Sequence, residues 1–477
     1  MDDSPGEEHL AFMQWAESAG IKIKGVTPAR FPGRRLGMKA TRTIKANETM
    51  LTIPVSLMLT IDSIPGSFTS RFPPGTSIHG IMAAFLTHGD PALLAALDPW
   101  RKVWPSYEEF ADCMPVLWPE HLRVSNSSYE PTNSESERKV LLPPSISGLW
   151  NSFSKEPVGV DYDTRYQNLL SQQEKRLKDA WTHVRTAFPE TKWETFAYYW
   201  CIINSRSFYY VSPGEDEPED WNDAIGMVPF ADYFNHVDDA ACDVAFDGKR
   251  YTFKATRRYE KGEEIFMSYG AHSNDFLFVE YGFSLPTNPS DTIYLDDIIF
   301  SELTIAQKQE LAGQEIFGYF PIPPPPPFPS PPPPVLRTSL PIPILPPKPK
   351  LTRTPKRNYE ITPSGASKPT LFAASLTYMP TRDWRNYISG RSERGYNFTK
   401  SADIIRGWVG KYHAECRSAQ GIIKGLLETT CSDSENGDGD GEGKVGSRAW
   451  EREKLRGLLE RWVQIEGLCE GVLASGA

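Results

Sequence analysis

The apolar pattern of this chain changes period twice before residue 300, and few folds tolerate that. Over residues 21–60, Ile21 and Ile23 alternate with lysines, Gly33 and Gly37 punctuate, and Met50-Leu51-Thr52-Ile53-Pro54 closes a short apolar run. This predicts several short strands joined by turns. From about 77 to 210 the period is helical. Ile78, Ile81, Met82, Phe85 and Leu86 share one face, a second helix is predicted over Tyr166–Phe188, and a third carries Trp193, Phe196, Ala197, Trp200 and Ile203 toward Arg206. Residues 225–300 are expected to return to strands. Cys242–Phe246 and Tyr251–Ala255 flank Asp247-Gly248, a hairpin signal, and Ile265–Tyr269 follows the turn Glu260-Lys261-Gly262. Strands, helices and strands again predict one β-rich domain with a helical insertion, its two strand-bearing halves meeting in space.

Proline sets the second boundary. Residues 321–350 hold 16 of the chain's 42 prolines. Proline donates no backbone N–H, so this segment is expected to be polyproline-II-like or without fixed structure. A spacer is the favoured reading, and a docking site for SH3- or WW-type modules is the alternative. The block looks like an interruption, with Phe317-Gly318-Tyr319 and Asn358-Tyr359 expected to be neighbours in one compact domain. Beyond it, Ile404, Trp408, Tyr412, Ile422 and Leu426, then Leu455, Leu458, Trp462 and Ile465, recur near helical spacing. The acidic run 431–443 between them is a solvated linker. Counted from Asp438, position 12 is Ala449 and not the glutamate an EF-hand loop requires. Residues 8–19, with Leu10, Phe12, Met13 and Trp15, are expected to form a short amphipathic helix, and 124–140 an exposed loop.

Composition narrows the function. A net charge of −10 argues against the basic surface that neutralises nucleic-acid phosphates, so no nucleic-acid partner is expected. The six cysteines, Cys113, Cys201, Cys242, Cys416, Cys431 and Cys469, form no C-x-x-C pair, and no metal site is expected from them. The acidic N-terminus lacks a secretory pattern, and no run approaches the ~20 apolar residues of a membrane span. A cytoplasmic or nuclear protein without a membrane partner is expected.

The most unusual stretch is Met227-Val228-Pro229-Phe230-Ala231-Asp232-Tyr233-Phe234-Asn235-His236. An apolar run delivers Asp, Asn and His together. Downstream come Tyr269-Gly270-x-x-Ser273-Asn274 and Tyr281-Gly282-Phe283, and upstream Ser205-Arg206-Ser207-Phe208 ends an apolar helix. Two tyrosines each followed by glycine are hard to explain by packing alone.

At these residues the chain resembles the SET-domain protein methyltransferases, in particular the split-SET subfamily that includes the Rubisco large-subunit and fungal ribosomal-protein lysine methyltransferases. The resemblance covers most of 21–300 and resumes more weakly over 358–470. It implies an α+β fold. An N-terminal helix (1–20) precedes a β-rich SET domain (21–285) with a pseudo-knot and a helical insertion at about 75–210. A mostly α-helical, substrate-binding-like C-terminal domain follows (286–320 and 358–477), interrupted by the Pro-rich insertion 321–357. It implies S-adenosyl-L-methionine as cofactor and a lysine-bearing, non-histone protein as substrate, such as a ribosomal protein or translation factor. Histidine methylation and a catalytically inactive binding module are the alternatives.

Residue by residue, the resemblance places Arg34, Arg35, Leu36 and Gly37 in the first cofactor loop, with Arg35 where the family has its first glycine. Arg206 falls near the cofactor carboxylate or the substrate. Asp232, Asn235 and His236 fall at the cofactor, Tyr269 at the catalytic tyrosine, and Tyr281 and Phe283 at the lysine channel and the adenine. These residue types suit the chemistry. Methyl transfer from a sulfonium needs a neutral amine held in line. An aromatic channel depresses an amine pKa that is otherwise about 10.4.

Overall fold

The computed structural model describes residues 3–32, 36–124, 139–153, 167–218, 220–314, 359–435 and 442–474. The first cofactor loop at Arg34 and Arg35, most of the 124–140 loop, the Pro-rich block with Phe317-Gly318-Tyr319 and Asn358, and the middle of the acidic linker lie outside them. Contacts divide the chain into two units. One is Met1–Leu149 with Asn168–Thr292, the other Trp150–Gln167 with Ile293–Ala477.

In the first unit the expected strands are present and short. β1 (Lys22–Ile23), β4 (Thr49–Pro54), β8 (Arg250–Ala255) and β7 (Cys242–Phe246) form an antiparallel sheet in the order β1-β4-β8-β7. The hairpin predicted at Asp247-Gly248 is β7–β8, and Gly248 sits at φ +84°, where only glycine is comfortable. A second sheet, β2 (Val26–Arg30), β3 (Leu36–Ala40) and β9 (Glu264–Ile265), joins the two halves of the interrupted domain directly, with Met38 opposite Ile265 and Lys39 opposite Glu264. A third pairs β5 (Ser207–Tyr209) with β6 (Ile225–Met227).

The helices of the insertion run Ile78–His88, Leu169–Ala187 and Trp193–Arg206. Ser77 caps the first by accepting the Gly80 N–H at 3.1 Å. The N-terminal helix, Glu7–Ala19, ends at Gly20 in a left-handed conformation.

Two expectations are corrected. Residues 225–300 are not strands throughout, because Asn274–Tyr281 and Asp296–Glu302 are helical. Ser273 caps the former by accepting the Phe276 N–H, and Gly282 at φ +79° ends it. Its core, Phe276-Leu277-Phe278-Val279, is apolar without period, so periodicity has no means of separating helix from strand there. The strand expected over Ile265–Tyr269 also stops at Ile265. The chain then leaves β3, and Met267 makes a parallel bridge with His236. The Met267 N–H donates to the Asn235 carbonyl at 2.8 Å, and the Val237 N–H to the Met267 carbonyl at 3.3 Å. It is the one parallel pairing among the described residues, and it lays the 267–283 segment against Asn235-His236.

The second unit is mostly helical: Lys368–Leu376, Thr381–Ile388, Phe398–Glu435 and Glu442–Ala474. It also holds a small sheet that the sequence does not announce, β10 (Ile293–Tyr294), β11 (Glu360–Thr362) and β12 (Gly365–Ala366). On the long helix the buried face runs Ile405, Trp408, Tyr412, Cys416, Ala419 and Ile423, one residue round from the predicted Ile404 and Ile422, which are half-buried. Glu415 is fully buried. Its carboxylate accepts the Asn151 and Ser152 backbone N–H groups and both of their side chains, which meets the requirement that a buried charge be paired or hydrogen-bonded. Among the described residues, no helix is long and apolar enough to cross a membrane.

Candidate active site

The site is assembled where the parallel bridge brings two distant segments together. Asn235 lies between β3 and the end of β9. Its amide nitrogen donates one hydrogen to the Leu36 carbonyl at 2.9 Å and the other to Glu264 Oε1 at 2.8 Å. Gly37 makes this possible. A Cβ there would lie 2.5 Å from Glu264 Oε1, 2.8 Å from Asn235 Nδ2 and 3.1 Å from Phe31. The glycine is needed for close approach and not for an unusual φ.

His236 is buried. Its Nδ1 accepts the Tyr269 backbone N–H at 3.1 Å, and burial pushes its pKa down, so the ring is neutral with its proton on Nε2. Nε2 is buried without a hydrogen-bond partner, a donor awaiting an acceptor. The Tyr269 ring stacks on His236 with centroids 5.0 Å apart, and its hydroxyl donates to the Phe234 carbonyl at 2.7 Å. Burial holds this phenol well above the usual tyrosine range. Arg206 opposes the shift, while Asp232 and Glu264 add to it. Tyr269 is therefore a neutral phenol whose proton is engaged and whose oxygen lone pairs remain available.

Tyr281 and Phe283 complete an aromatic cluster. Their ring centroids lie 5.1 and 6.3 Å from that of Tyr269, and Phe283 lies 6.2 Å from His236. Burial raises the Tyr281 pKa in the same way. Both Tyr-Gly pairs now have a backbone reason. Gly270 (φ +128°) and Gly282 (φ +79°) turn the chain sharply after each tyrosine, and a Cβ on Gly282 would lie 2.6 Å from Cys113 Sγ. Asn274 secures the return. It exchanges hydrogen bonds with the Leu285 backbone at 2.9 and 3.0 Å, fixing the loop that carries Phe283.

Arg206 ends the helix Trp193–Arg206, where a cation is favoured by the helix dipole. Its Nε is 3.7 Å from Asp232 Oδ2, which also accepts the Trp100 indole N–H at 3.3 Å. Burial raises the Asp232 pKa, Arg206 and Trp100 lower it, and Oδ1 is buried without a partner. Phe230, just before the Ala231–Tyr233 turn, is held at φ +70°, a strained conformation for a non-glycine residue. It persists because the fully buried ring is locked between Phe12 and Tyr233, with centroids at 6.0 and 5.4 Å.

Of the residues singled out from sequence, Leu36, Gly37, Asn235, His236, Tyr269, Tyr281 and Phe283 are linked by hydrogen bonds, close approach and ring contacts, while Arg206 and Asp232 form a separate pair whose charges act on Tyr269. Arg34 and Arg35 fall outside the described residues. Sequence reasoning missed Glu264 and Trp100. Glu264 sits in Lys261-Gly262-Glu263-Glu264, which reads as an ordinary surface turn, and Trp100 belongs to no motif.

The SET domain family matches residues 35–270. SET domain-containing protein 4 of Mus musculus is 23% identical over 329 residues, spanning 65% of this chain and 66% of that protein. Ribosomal lysine N-methyltransferase set11 of Schizosaccharomyces pombe is 42% identical over 105 residues, or 22% of this chain and 26% of that protein. Thus the chain spans about two thirds of one curated relative and about a quarter of the other. Among solved structures, the SET domain of LSMT bound to MeLysine and AdoHcy superposes with a TM-score of 0.51 at 15% identity, covering 99% of this chain and 94% of that one, a likeness of fold. A SET domain is thus matched over just under half of the chain, residues 35–270.

Proposed function

We propose that this chain is an S-adenosylmethionine-dependent protein-lysine N-methyltransferase acting on a non-histone protein, with ribosomal proteins and translation factors as the target class. The observation that carries the reading is the convergence of His236, Tyr281 and Phe283 on Tyr269, next to the strand end that Asn235 clasps. The names of the yeast relative and of the LSMT complex support it.

The residues fit an adenosyl cofactor. His236 Nε2 is a buried donor without a partner, and the side-chain Oδ1 of Asn235 faces no hydrogen-bond donor among the described residues. The backbone of Leu36-Gly37 is drawn close to Asn235 and Glu264 because no Cβ stands at Gly37, which fixes the edge of the site. Arg206, only loosely paired with Asp232, keeps N–H groups for a carboxylate. When bound, the cofactor supplies an electrophilic methyl group and a neutral thioether leaving group.

The protein's own residues do the rest. The rings of Tyr269, Tyr281 and Phe283 exclude water and offer a lysine amine a low-dielectric path, which favours its neutral form. The Tyr269 oxygen, its proton committed to Phe234, accepts a hydrogen bond from that amine and so orients its lone pair. Trp100 anchors Asp232, and Asp232 keeps the Arg206 guanidinium nearby, where its charge acts on Tyr269.

The test is to incubate the purified protein with tritiated cofactor and a cell extract, then identify labelled bands by mass spectrometry. Label on lysine, lost in Tyr269→Phe, is the expected result. Label on histidine would overturn the acceptor. A folded protein without cofactor binding by calorimetry would overturn the enzyme reading altogether.

A further inference from the structure

The second unit carries a cluster that the methyltransferase reading does not use. Phe398–Glu435 and Glu442–Ala474 pack side by side and run antiparallel. His413 faces Glu466 and Glu470, while Gln420, two turns further along, also reaches Glu466. Glu466 and Glu470 are four residues apart and therefore share one face of their helix. One ligand atom from each of His413, Glu466 and Glu470 lies within 4.8 Å of the others.

An interhelical ion pair is the simplest account, and the geometry does not favour it. His413 Nε2 lies 3.2 Å from Glu466 Oε1, yet it makes no hydrogen bond to it and is buried without any hydrogen-bond partner. A buried imidazole nitrogen beside a carboxylate yet not hydrogen-bonded to it is a polar atom left unsatisfied, within reach of two further ligand atoms. Gln420 donates to Glu466 Oε2 at 2.7 Å. This leaves Oε1 on the His413 side, the kind of outer hydrogen bond that orients a metal-binding carboxylate.

We propose that His413, Glu466 and Glu470 form a binding site for a divalent ion of the zinc type, with one position left for water. Ligands about 2.0–2.2 Å from a tetrahedral zinc stand roughly 3.4 Å apart. The His413–Glu466 pair already meets that spacing. Glu470 is exposed and closes the remaining gap by side-chain rotation. Arg417, whose Nε is 3.9 Å from Glu466 Oε1, is mostly exposed and swings out when the ion enters. The site ties the two longest helices together and stabilises their packing by linkage.

The test uses the full-length chain, stripped with chelator and titrated with zinc chloride, read by calorimetry and by thermal unfolding. One equivalent of zinc and a raised Tm are expected. His413→Ala and Glu470→Gln are each expected to weaken binding by more than the roughly tenfold that loss of even an outer-shell partner costs. Glu470 is exposed, so Glu470→Gln leaves the fold intact and remains informative if His413→Ala disturbs packing. No rise in Tm at modest zinc excess, or unchanged affinity in Glu470→Gln, would overturn the proposal.

Discussion

Alanine at position 37 tests whether the Asn235 clasp is what shapes the cofactor side of the site. The new Cβ would lie 2.5 Å from Glu264 Oε1, 2.8 Å from Asn235 Nδ2 and 3.1 Å from the Phe31 ring. The Glu264 carboxylate ends a flexible side chain and can turn away, but doing so breaks its 2.8 Å hydrogen bond with Asn235. Hydrogen bonds to charged groups contribute about 1.5–3 kcal/mol, and the displaced Asn235 also strains its bond to the Leu36 carbonyl, worth about 1 kcal/mol. Gly37→Ala should therefore cost roughly 2–4 kcal/mol. Part of this appears as a lower Tm and part as weaker cofactor binding, at about 1.4 kcal/mol per tenfold. Calorimetry with S-adenosylmethionine and thermal denaturation read the two parts. Glu264→Ala removes the first obstacle beforehand, so the double variant should lose less than the sum of the singles, with a coupling of about 0.5 kcal/mol or more. Wild-type affinity in Gly37→Ala, or strictly additive losses, would refute the clasp.

Tyr269→Phe deletes the donor to the Phe234 carbonyl, so it should cost about 1–3 kcal/mol of stability. It should slow single-turnover methyl transfer by about a hundredfold or more, with cofactor affinity nearly unchanged; full turnover would remove Tyr269 from the chemistry. Gly282→Ala combines a left-handed φ of +79° with a Cβ 2.6 Å from Cys113 Sγ and should destabilise by about 1–3 kcal/mol. Cys113→Ala in the same chain should restore part of the loss in urea unfolding, and no restoration would put the strain elsewhere. His79 is buried, stacked on Trp200 at 4.6 Å and close to Arg176, and its pKa is pushed down to about 3. The folded state keeps this ring neutral while the unfolded chain protonates it near 6.5. Its contribution is thus present above pH 6.5 and is lost as pH falls toward 3, by as much as roughly 5 kcal/mol. Urea midpoints at pH 7 and pH 4.5 should differ less in His79→Gln than in the wild type, and equal differences would exclude the effect.

Which features the sequence could reveal follows from how local their causes are. The β7–β8 hairpin was legible because Asp247-Gly248 supplies its own turn chemistry, and Trp193–Arg206 because its apolar residues mark one face. The helix Asn274–Tyr281 was not, since Phe276 to Val279 form an apolar run with no period. The buried face of Phe398–Glu435 was read one residue off, because Ile404-Ile405 and Ile422-Ile423 offer two equivalent apolar choices that only the packing partner decides. At the site, residue types were legible and their wiring was not. Tyr269-Gly270 and Tyr281-Gly282 announced that something other than packing was required, and the glycines prove to be turns at positive φ. The partners of Asn235, however, come from Leu36 and Glu264, one far away in the chain and the other in an unremarkable acidic turn. That wiring changes the chemistry assigned to the motif. The resemblance placed Asn235 at the cofactor, yet both of its amide hydrogens are consumed within the protein. Only the carbonyl oxygen is left to face a ligand, so Asn235 is a fastener for β3 with one acceptor to spare. The donor at this site is the neighbouring His236 Nε2, whose proton is fixed there because Nδ1 is occupied by the Tyr269 backbone. An Asn-His pair therefore works as a unit of opposite polarity, one side chain presenting an acceptor and the next a donor, and the parallel bridge to Met267 holds the two in register.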